Sequence, residues 1–316
     1  MRILFAGTPD IAVPSLKLLA RFHDVCGVLT NPDRPSGRGN KVNISPVKQT
    51  ALELDIPVVQ PFRLGKDARE IVEPLNPELL AVVAYSRIFG PKFLNLFRYG
   101  GINLHPSLLP KYRGPSPVNA AILNGDTVTG ITVQKISLKM DSGDILVQTE
   151  IPLDGTETAE SLTNLCAEKG APMLLNAVES IEKGTASPVS QNDSDASYCG
   201  LLKKDDGIID WTDSAVEIDR KIRGYFPWPG CYTCFGDRKL NILQAESLEE
   251  NISSDSDGEC GTVMGLDKKY GILVKTGHGI LGIKKLQLQS KKAMDCKSFL
   301  NGIHDFIGSV LGGNLC

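Results

Sequence analysis

Short apolar runs alternate with amphipathic segments through the first part of the chain. The runs are almost continuously apolar, which is typical of strands buried on both faces of a parallel sheet. The predicted strands are Arg2–Ala6, Asp24–Leu29, Ile56–Val59, Leu79–Tyr85, Gly101–His105, Gly130–Ser137 and Ile145–Ile151. The predicted helices between and after them are Pro9–Phe22, Ser45–Leu54, Lys66–Val72, Pro91–Phe97, Pro115–Leu123 and Thr158–Glu182. This order predicts an α/β fold, with a Rossmann-like, mostly parallel sheet and helices on both faces.

The pattern changes after Gly184. Residues 185–206 begin with a stretch rich in Ser, Asp, Gln and Asn and show no apolar period, so we predict a linker there. Short strand-like runs with turn residues follow, which predicts a small C-terminal β-barrel. The sequence therefore predicts a first domain of residues 1–184, the linker, and a second domain of residues 207–316.

Composition is that of a globular protein, since 41% of the 316 residues are hydrophobic and 22% are charged. No apolar run has the length of a membrane span, and Met1 leads directly into the first strand, so we expect a cytoplasmic protein. The eight cysteines are scattered and are expected to be reduced. Cys231 and Cys234 have metal-ligand spacing, but no second such pair follows, and we expect no metal site.

Polar residues with catalytic potential leave the end of a predicted strand together. Asn103 and His105 share one face of that strand because successive side chains alternate. A turn after the next strand can bring either Asp141 or Asp144 toward His105. An amide, an imidazole and a carboxylate together can hold a developing oxyanion and move a proton.

Several short motifs occur in a specific order along nearly the whole chain. They are Asn103-x-His105, Ser107–Gly114, Gly130–Val133 and Met140–Asp144, supported by Phe5–Asp10, Asn31–Gly39, Val82–Tyr85 and Phe226–Pro229. With these motifs the chain resembles the folate-dependent formyltransferases, which transfer the formyl group of 10-formyltetrahydrofolate to an amine. The likeness is greatest to the members whose substrate is methionyl initiator tRNA.

The resemblance implies roles for individual residues. Asn103, His105 and Asp141 match the catalytic trio, so Asp141 is preferred to Asp144. The folate pocket is implied at Val83, Ala84, Tyr85, Arg87, Ile88, Ser107, Leu108, Leu109 and Pro110. The sequence departs from the family pattern at Ser86, where glycine is usual, which bears on the backbone at that point.

The resemblance also implies how RNA is bound. The insertion from Thr30 to Asn43 matches the segment that contacts the tRNA acceptor end, with Arg34, Arg38 and Lys41 as candidate contacts. The C-terminal domain matches an OB-like barrel that binds tRNA, and it is basic apart from the acidic residues 246–259. We expect an enzyme of translation initiation that acts as a monomer.

Two other functions remain open from the sequence. A formyltransferase with the same trio can act on an amino sugar nucleotide or release formate, and the basic insertion argues against it. A tRNA-binding protein without catalytic activity can use the same scaffold, and the intact trio argues against that.

Overall fold

The protein is described by a computed structural model, which covers residues 1–36, 41–248 and 258–312. The chain divides into two compact units. The first contains Met1–Pro117, Val128–Pro152 and Ser161–Gly200, and the second contains Val118–Thr127, Leu153–Glu160 and Leu201–Cys316. Residues 185–200 of the predicted linker thus belong with the first unit. The domain boundaries at residues 184 and 206 stay predictions.

The first part of the chain alternates strands and helices, as the sequence predicts. The strands are β1 (Arg2–Gly7), β2 (Asp24–Leu29), β3 (Arg34–Ser36), β4 (Lys41–Asn43), β5 (Val58–Val59), β6 (Leu79–Val83), β7 (Gly101–His105), β8 (Val128–Lys135) and β9 (Ile145–Pro152). The helices are α1 (Val13–Phe22), α2 (Pro46–Glu53), α3 (Lys66–Val72), α4 (Pro91–Leu94), α5 (Pro117–Leu123) and α6 (Ala159–Glu182). Local signals explain several boundaries: the Ser45 hydroxyl, for example, caps α2 by accepting from the Lys48 amide.

The main sheet has the strand order β5-β2-β1-β6-β7-β8-β9. The first five strands in this order, from β5 to β7, pair in parallel. Strand β8 pairs antiparallel with β7, and β9 pairs antiparallel with β8. Consecutive residues of β1 and β6 are buried, since Ile3, Leu4, Leu79 and Leu80 are all inaccessible. Because neighbouring side chains point to opposite faces, the sheet is covered on both faces. The Rossmann-like fold is confirmed.

The second unit is built around an antiparallel sheet with the order β10-β11-β14-β13-β12, to which β15 adds beside β14. Its elements are α7 (Ala215–Gly224), β10 (Cys231–Phe235), β11 (Arg238–Leu248), β12 (Val263–Asp267), β13 (Gly271–Lys275), β14 (Ile280–Leu288), β15 (Met294–Asp295) and α8 (Cys296–Asn301). One hydrophobic cluster joins α7, the strands and the C-terminal Phe306. This architecture agrees with the predicted small barrel domain.

Two local expectations are wrong. The insertion from Thr30 to Asn43, where no strand was predicted, contains the antiparallel pair β3 and β4, with Arg34 opposite Asn43. Cys234 is disulfide-bonded, so the cysteines are not all reduced. In the part of the chain that the structure describes, no helix has the length and apolar character needed to cross a membrane.

Candidate functional site

His105 ends β7 and is 4% exposed. On the paired strand β8, Thr132 lies opposite His105, and Gln134 lies opposite Asn103. Residues directly opposite each other in an antiparallel pair share a face. These strands therefore carry a polar face that is buried, because Thr132 and Gln134 are also inaccessible.

The imidazole and the Asp141 carboxylate lie side by side. His105 Nδ1 is 3.8 Å from Asp141 Oδ2, and His105 Nε2 is 2.9 Å from the Tyr112 carbonyl oxygen. A carbonyl can only accept, so Nε2 carries a hydrogen and donates it to Tyr112. Nδ1 is then the ring atom that is available to take a proton.

Two further contacts hold the Asp141 carboxylate. Its Oδ2 accepts from the Gly114 amide at 2.9 Å, and its Oδ1 accepts from Gln134 Nε2 at 3.0 Å. The alternative carboxylate, Asp144, instead accepts from the Ser190 hydroxyl at 2.9 Å. The fold therefore brings Asp141 to His105, and this geometry favours Asp141 over Asp144.

Burial and two polar neighbours shift the pKa of the His105 imidazole in opposite directions. Desolvation lowers the pKa of His105, and the nearby Asp141 carboxylate and Tyr112 carbonyl raise it by less. Asp141 therefore acts against burial, but burial has the larger effect, and the pKa of His105 is lowered overall.

Asn103 lies two residues before His105 on the same face of β7 and is half-buried. Gln134, directly opposite on β8, donates to the Asp141 carboxylate. The structure thus places all three residues of the predicted trio on or beside one polar face.

The residues predicted for folate lie on two segments that leave neighbouring strands. Val83 ends β6 and pairs with Leu104 of β7 in parallel, so both segments emerge at the same edge of the sheet. Open α/β sheets bind ligands at this carboxyl edge. Ala84, with a φ of 49°, turns the first segment away from β6.

The side chains of the first segment, residues 83–88 at the end of β6, differ in direction. Tyr85 packs into the core with Phe89, and burial raises its pKa to about 12. Ile88 is 78% exposed, and Arg87 is half-buried. The main chain and exposed side chains of this segment, and not the Tyr85 ring, are therefore available to a ligand.

The second segment, residues 107–110 after β7, is held by hydrogen bonds. Ser107 is buried, and its hydroxyl donates to the Lys111 carbonyl at 2.6 Å. The Leu109 amide donates to Thr132 Oγ1, and the Leu109 carbonyl accepts from Gln148. Leu109 is joined to Pro110 by a cis peptide bond. Leu108, in contrast, is half-buried and lies against Gly130. A Cβ added at Gly130 would come within 2.3 Å of the Leu108 side chain.

The candidate tRNA contacts fall on the β3–β4 insertion. Arg34 begins β3, and Lys41 begins β4 opposite Ser36. Arg38 lies outside the described residues. The roles of these three residues stay predictions.

Comparison with known proteins supplies the family. A model of the formyl transferase family matches residues 1–178, and a model of the formyl transferase C-terminal domain matches residues 201–304. The chain belongs to the formyl transferase family. The methionyl-tRNA formyltransferase of Treponema denticola is 48% identical over 97% of this chain and 98% of that protein. The methionyl-tRNA formyltransferase of Borrelia hermsii is 43% identical over 98% of this chain and 99% of that protein.

A solved structure shares the fold of this formyl transferase. It is a sugar 3N-formyl transferase in the presence of dTDP and 5-N-formyl-THF, with a TM-score of 0.65 and 19% identity. The alignment covers 92% of this chain and 99% of that one. At this identity the likeness concerns the fold alone.

Three residues that contribute to the site of this formyl transferase were not predicted from the sequence. Gln134 lies within the predicted strand Gly130–Ser137, whose alternation alone does not show which face is buried. Arg113 is part of a recognised motif, yet nothing in its spacing shows that it is 2% exposed. Gln191 lies in the predicted linker and donates to the Asp141 carbonyl at 2.9 Å. Only the tertiary structure reveals these contacts.

A polar cleft of about 490 Å³ opens at the carboxyl ends of β1, β2 and β6. It is lined by Thr8, Asn31, Pro32, Asp33, Asn43, Ser45, Ser86 and Arg87. Asn31 Nδ2 donates to Ser86 Oγ at 3.0 Å, so the hydroxyl that replaces the usual glycine is used within this cleft. Across the described ranges, no group of three or more His, Cys, Asp or Glu side chains is arranged to hold a metal ion.

We expect His105 to titrate below the ordinary histidine pKa of about 6.5, because burial disfavours its charged form. The unfolded chain then takes up this proton first as the pH falls, so folding should lose stability below about pH 6.5. NMR titration of the four histidines, with His105→Asn to assign the signal, measures this pKa. A value at or above the ordinary one would contradict a neutral imidazole.

Proposed function

We propose that this formyl transferase transfers the formyl group of 10-formyltetrahydrofolate to the α-amino group of methionyl initiator tRNA, for translation initiation. The observation that carries the proposal is the near full-length likeness to methionyl-tRNA formyltransferases. The pair of the buried His105 and the half-buried Asp141 supports it, because formyl transfer to an amine requires a group that can move a proton. We propose Asn103, His105 and Asp141 as the catalytic residues.

The proposed reaction forms one carbon–nitrogen bond and breaks another. The neutral amine attacks the formyl carbon, and the tetrahedral oxyanion accepts a hydrogen bond from the Asn103 amide. The proton lost by the amine passes to Nδ1 of the neutral His105, and Asp141 stabilises the resulting imidazolium. The bond from carbon to the folate nitrogen N10 then breaks, and N10 takes up one proton, which balances the one that the amine lost.

We place the pterin of the folate co-substrate against residues 83–88 and 107–110. Both segments leave the carboxyl edge of paired strands, and this edge lies beside His105. Backbone groups of the first segment and the half-buried Leu108 of the second offer polar and apolar contacts, as small-molecule sites require.

We place the acceptor end of the tRNA on the β3–β4 insertion, with Arg34, Arg38 and Lys41 as phosphate contacts. The C-terminal unit adds a second RNA-binding surface in this proposal, consistent with its many lysines. We further propose that the enzyme is a cytoplasmic monomer. Size-exclusion chromatography with light scattering tests the monomer.

One experiment tests the proposed function directly. The protein is incubated with 10-formyltetrahydrofolate labelled in the formyl group and with methionyl initiator tRNA, and an amino sugar nucleotide serves as the competing acceptor. Label should appear on the methionyl-tRNA and not on the sugar. Label on the sugar alone would reject the proposed acceptor, and label on neither would reject transfer to both.

We expect Arg38→Ala to weaken the use of methionyl-tRNA and to reduce its salt dependence. The glycines on both sides of Arg38 let the main chain approach RNA closely, and a guanidinium can bind a phosphate through two hydrogen bonds. Losing one phosphate contact should lower the slope of log affinity against log salt by about 0.7 to 0.9. Measuring tRNA kinetics at several salt concentrations tests this.

A matched control is Arg98→Ala. Arg98 is exposed and precedes β7, so it lies at the opposite edge of the sheet from the carboxyl ends. Arg98→Ala should leave the salt slope unchanged. Equal slopes for Arg38→Ala and the unmodified enzyme would show that Arg38 does not contact phosphate.

A further inference from the structure

Asp141 has a backbone conformation that its surroundings must maintain. Its φ is 50°, in the left-handed region where residues other than glycine are uncommon. Gln134 and Gly114 hold its carboxylate, and its main-chain carbonyl accepts from Gln191 Nε2 at 2.9 Å. Gln191 therefore supplies a contact that holds the main chain of Asp141 in place.

The Gln191 amide touches the whole turn that carries Asp141. Nε2 also lies 2.7 Å from the Gly143 carbonyl oxygen and 3.1 Å from Gln134 Oε1. Gly143 packs closely against the end of β8, because a Cβ there would come within 1.8 Å of the Lys135 carbonyl oxygen. One side-chain amide thus connects the turn to the strand that precedes it.

Arg113 determines which way the Gln191 amide faces. Gln191 Oε1 accepts from Arg113 Nε at 3.1 Å and from Nη2 at 2.9 Å. A guanidinium has only donors, so the amide oxygen must face Arg113 and the NH₂ group must face the turn. Asp193 compensates the buried charge of Arg113 through an ion pair of 2.8 Å.

Main-chain hydrogen bonds also hold the segment that carries Gln191 and Asp193. The Arg113 amide donates to the Ser197 carbonyl at 2.8 Å, and the Cys199 amide donates to the Arg113 carbonyl at 2.9 Å. Gln191 and Asp193 lie in residues 179–200, which neither family model matches. All of these residues belong to the first compact unit.

We propose that Gln191 and Arg113 are positioning residues, which hold the Asp141 carboxylate beside His105 for proton transfer. Neither residue touches the imidazole, so each acts through Asp141. The proposal rests on the proposed function, because it assigns them a role within that reaction. It also makes the segment between the two family matches part of the active site.

The kinetic test uses Gln191→Met, which keeps the side-chain length and removes every hydrogen bond of the amide. We expect kcat to fall roughly 100-fold, as for a reacting group displaced by about 1 Å, with both KM values nearly unchanged. In an Asp141→Asn background, Gln191→Met should cause no further loss, because both changes affect one unit. An unchanged kcat, or losses that multiply, would overturn the proposal.

A second measurement requires no substrate. If Asp141 moves away, His105 loses the carboxylate that raises its pKa, so NMR should show a lower His105 pKa in Gln191→Met, toward that of Asp141→Asn. Gln49→Met, an exposed glutamine on α2, is the matched control and should change nothing. An unchanged His105 pKa would reject the positioning role alone, whereas failure of the unmodified protein to formylate methionyl-tRNA would reject the proposed function alone.

Arg113→Lys provides a second variant if circular dichroism shows that Gln191→Met does not fold. Lysine keeps the positive charge beside Asp193 but cannot present two donors in the fixed geometry of a guanidinium. The His105 pKa should again fall. A folded Arg113→Lys protein with the His105 pKa of the unmodified enzyme would overturn the proposal.

Discussion

His105→Ala, Asp141→Asn and the double variant should each lose a similar large factor in kcat, about 10²- to 10⁴-fold. The imidazole takes the amine proton only if the carboxylate 3.8 Å away stabilises the imidazolium. Residues that act as one unit are strongly non-additive, so the second substitution should add little. Single-turnover kinetics of formyl transfer measures the factor for each variant.

Asp144→Asn is the control that separates the two carboxylates. Asp144 is bonded to Ser190, so its replacement should leave kcat within a small factor of the unmodified value. Equilibrium binding of folate and methionyl-tRNA should change little in all of these variants. Full activity in Asp141→Asn, or multiplied losses in the double variant, would exclude a catalytic pair of His105 and Asp141.

Leu108→Asp should weaken folate binding by roughly 10- to 100-fold, because burying a leucine side chain contributes about 1.5–3 kcal/mol and a carboxylate in an apolar contact adds a desolvation cost. Leu108 is half-buried beside Gly130, on the segment that follows His105. Affinity for methionyl-tRNA should remain. Fluorescence titration with folate and a separate tRNA-binding assay measure the two affinities.

Leu138→Asp is a matched control at a position that is 68% exposed. It introduces the same charge and should leave folate affinity unchanged. Thermal unfolding of both variants shows whether Leu108→Asp retains its fold. Normal folate binding by a folded Leu108→Asp protein would place the pocket elsewhere.

Local sequence signals were sufficient for most elements of the fold. Three predicted strands or helices have the bounds found in the structure: Asp24–Leu29, Lys66–Val72 and Gly101–His105. Each is short and has a clear period, with Gly or Asp at or beside an end, so local patterning and propensity agree. Family motifs then indicated Asn103, His105 and Asp141.

Strand direction and protonation depended on packing. The apolar alternation of β8 and β9 is the same whichever way they run, and only their pairing shows that β8 is antiparallel to β7 and β9 is antiparallel to β8. Similarly, the sequence contains the carboxylate that raises the pKa of His105 but not the burial that outweighs it. Both depend on neighbours that are distant in sequence.

The sequence by itself determined the order of strands and helices, the Rossmann-like class, the C-terminal barrel and the motif residues, because these follow from periodicity and short-range order. Only the tertiary structure decided that Gln191, in a stretch composed like a linker, donates to the Asp141 carbonyl and is oriented by Arg113. A polar side chain far along the chain has no periodic signal, and its role arises when folding buries it against groups that need hydrogen-bond partners.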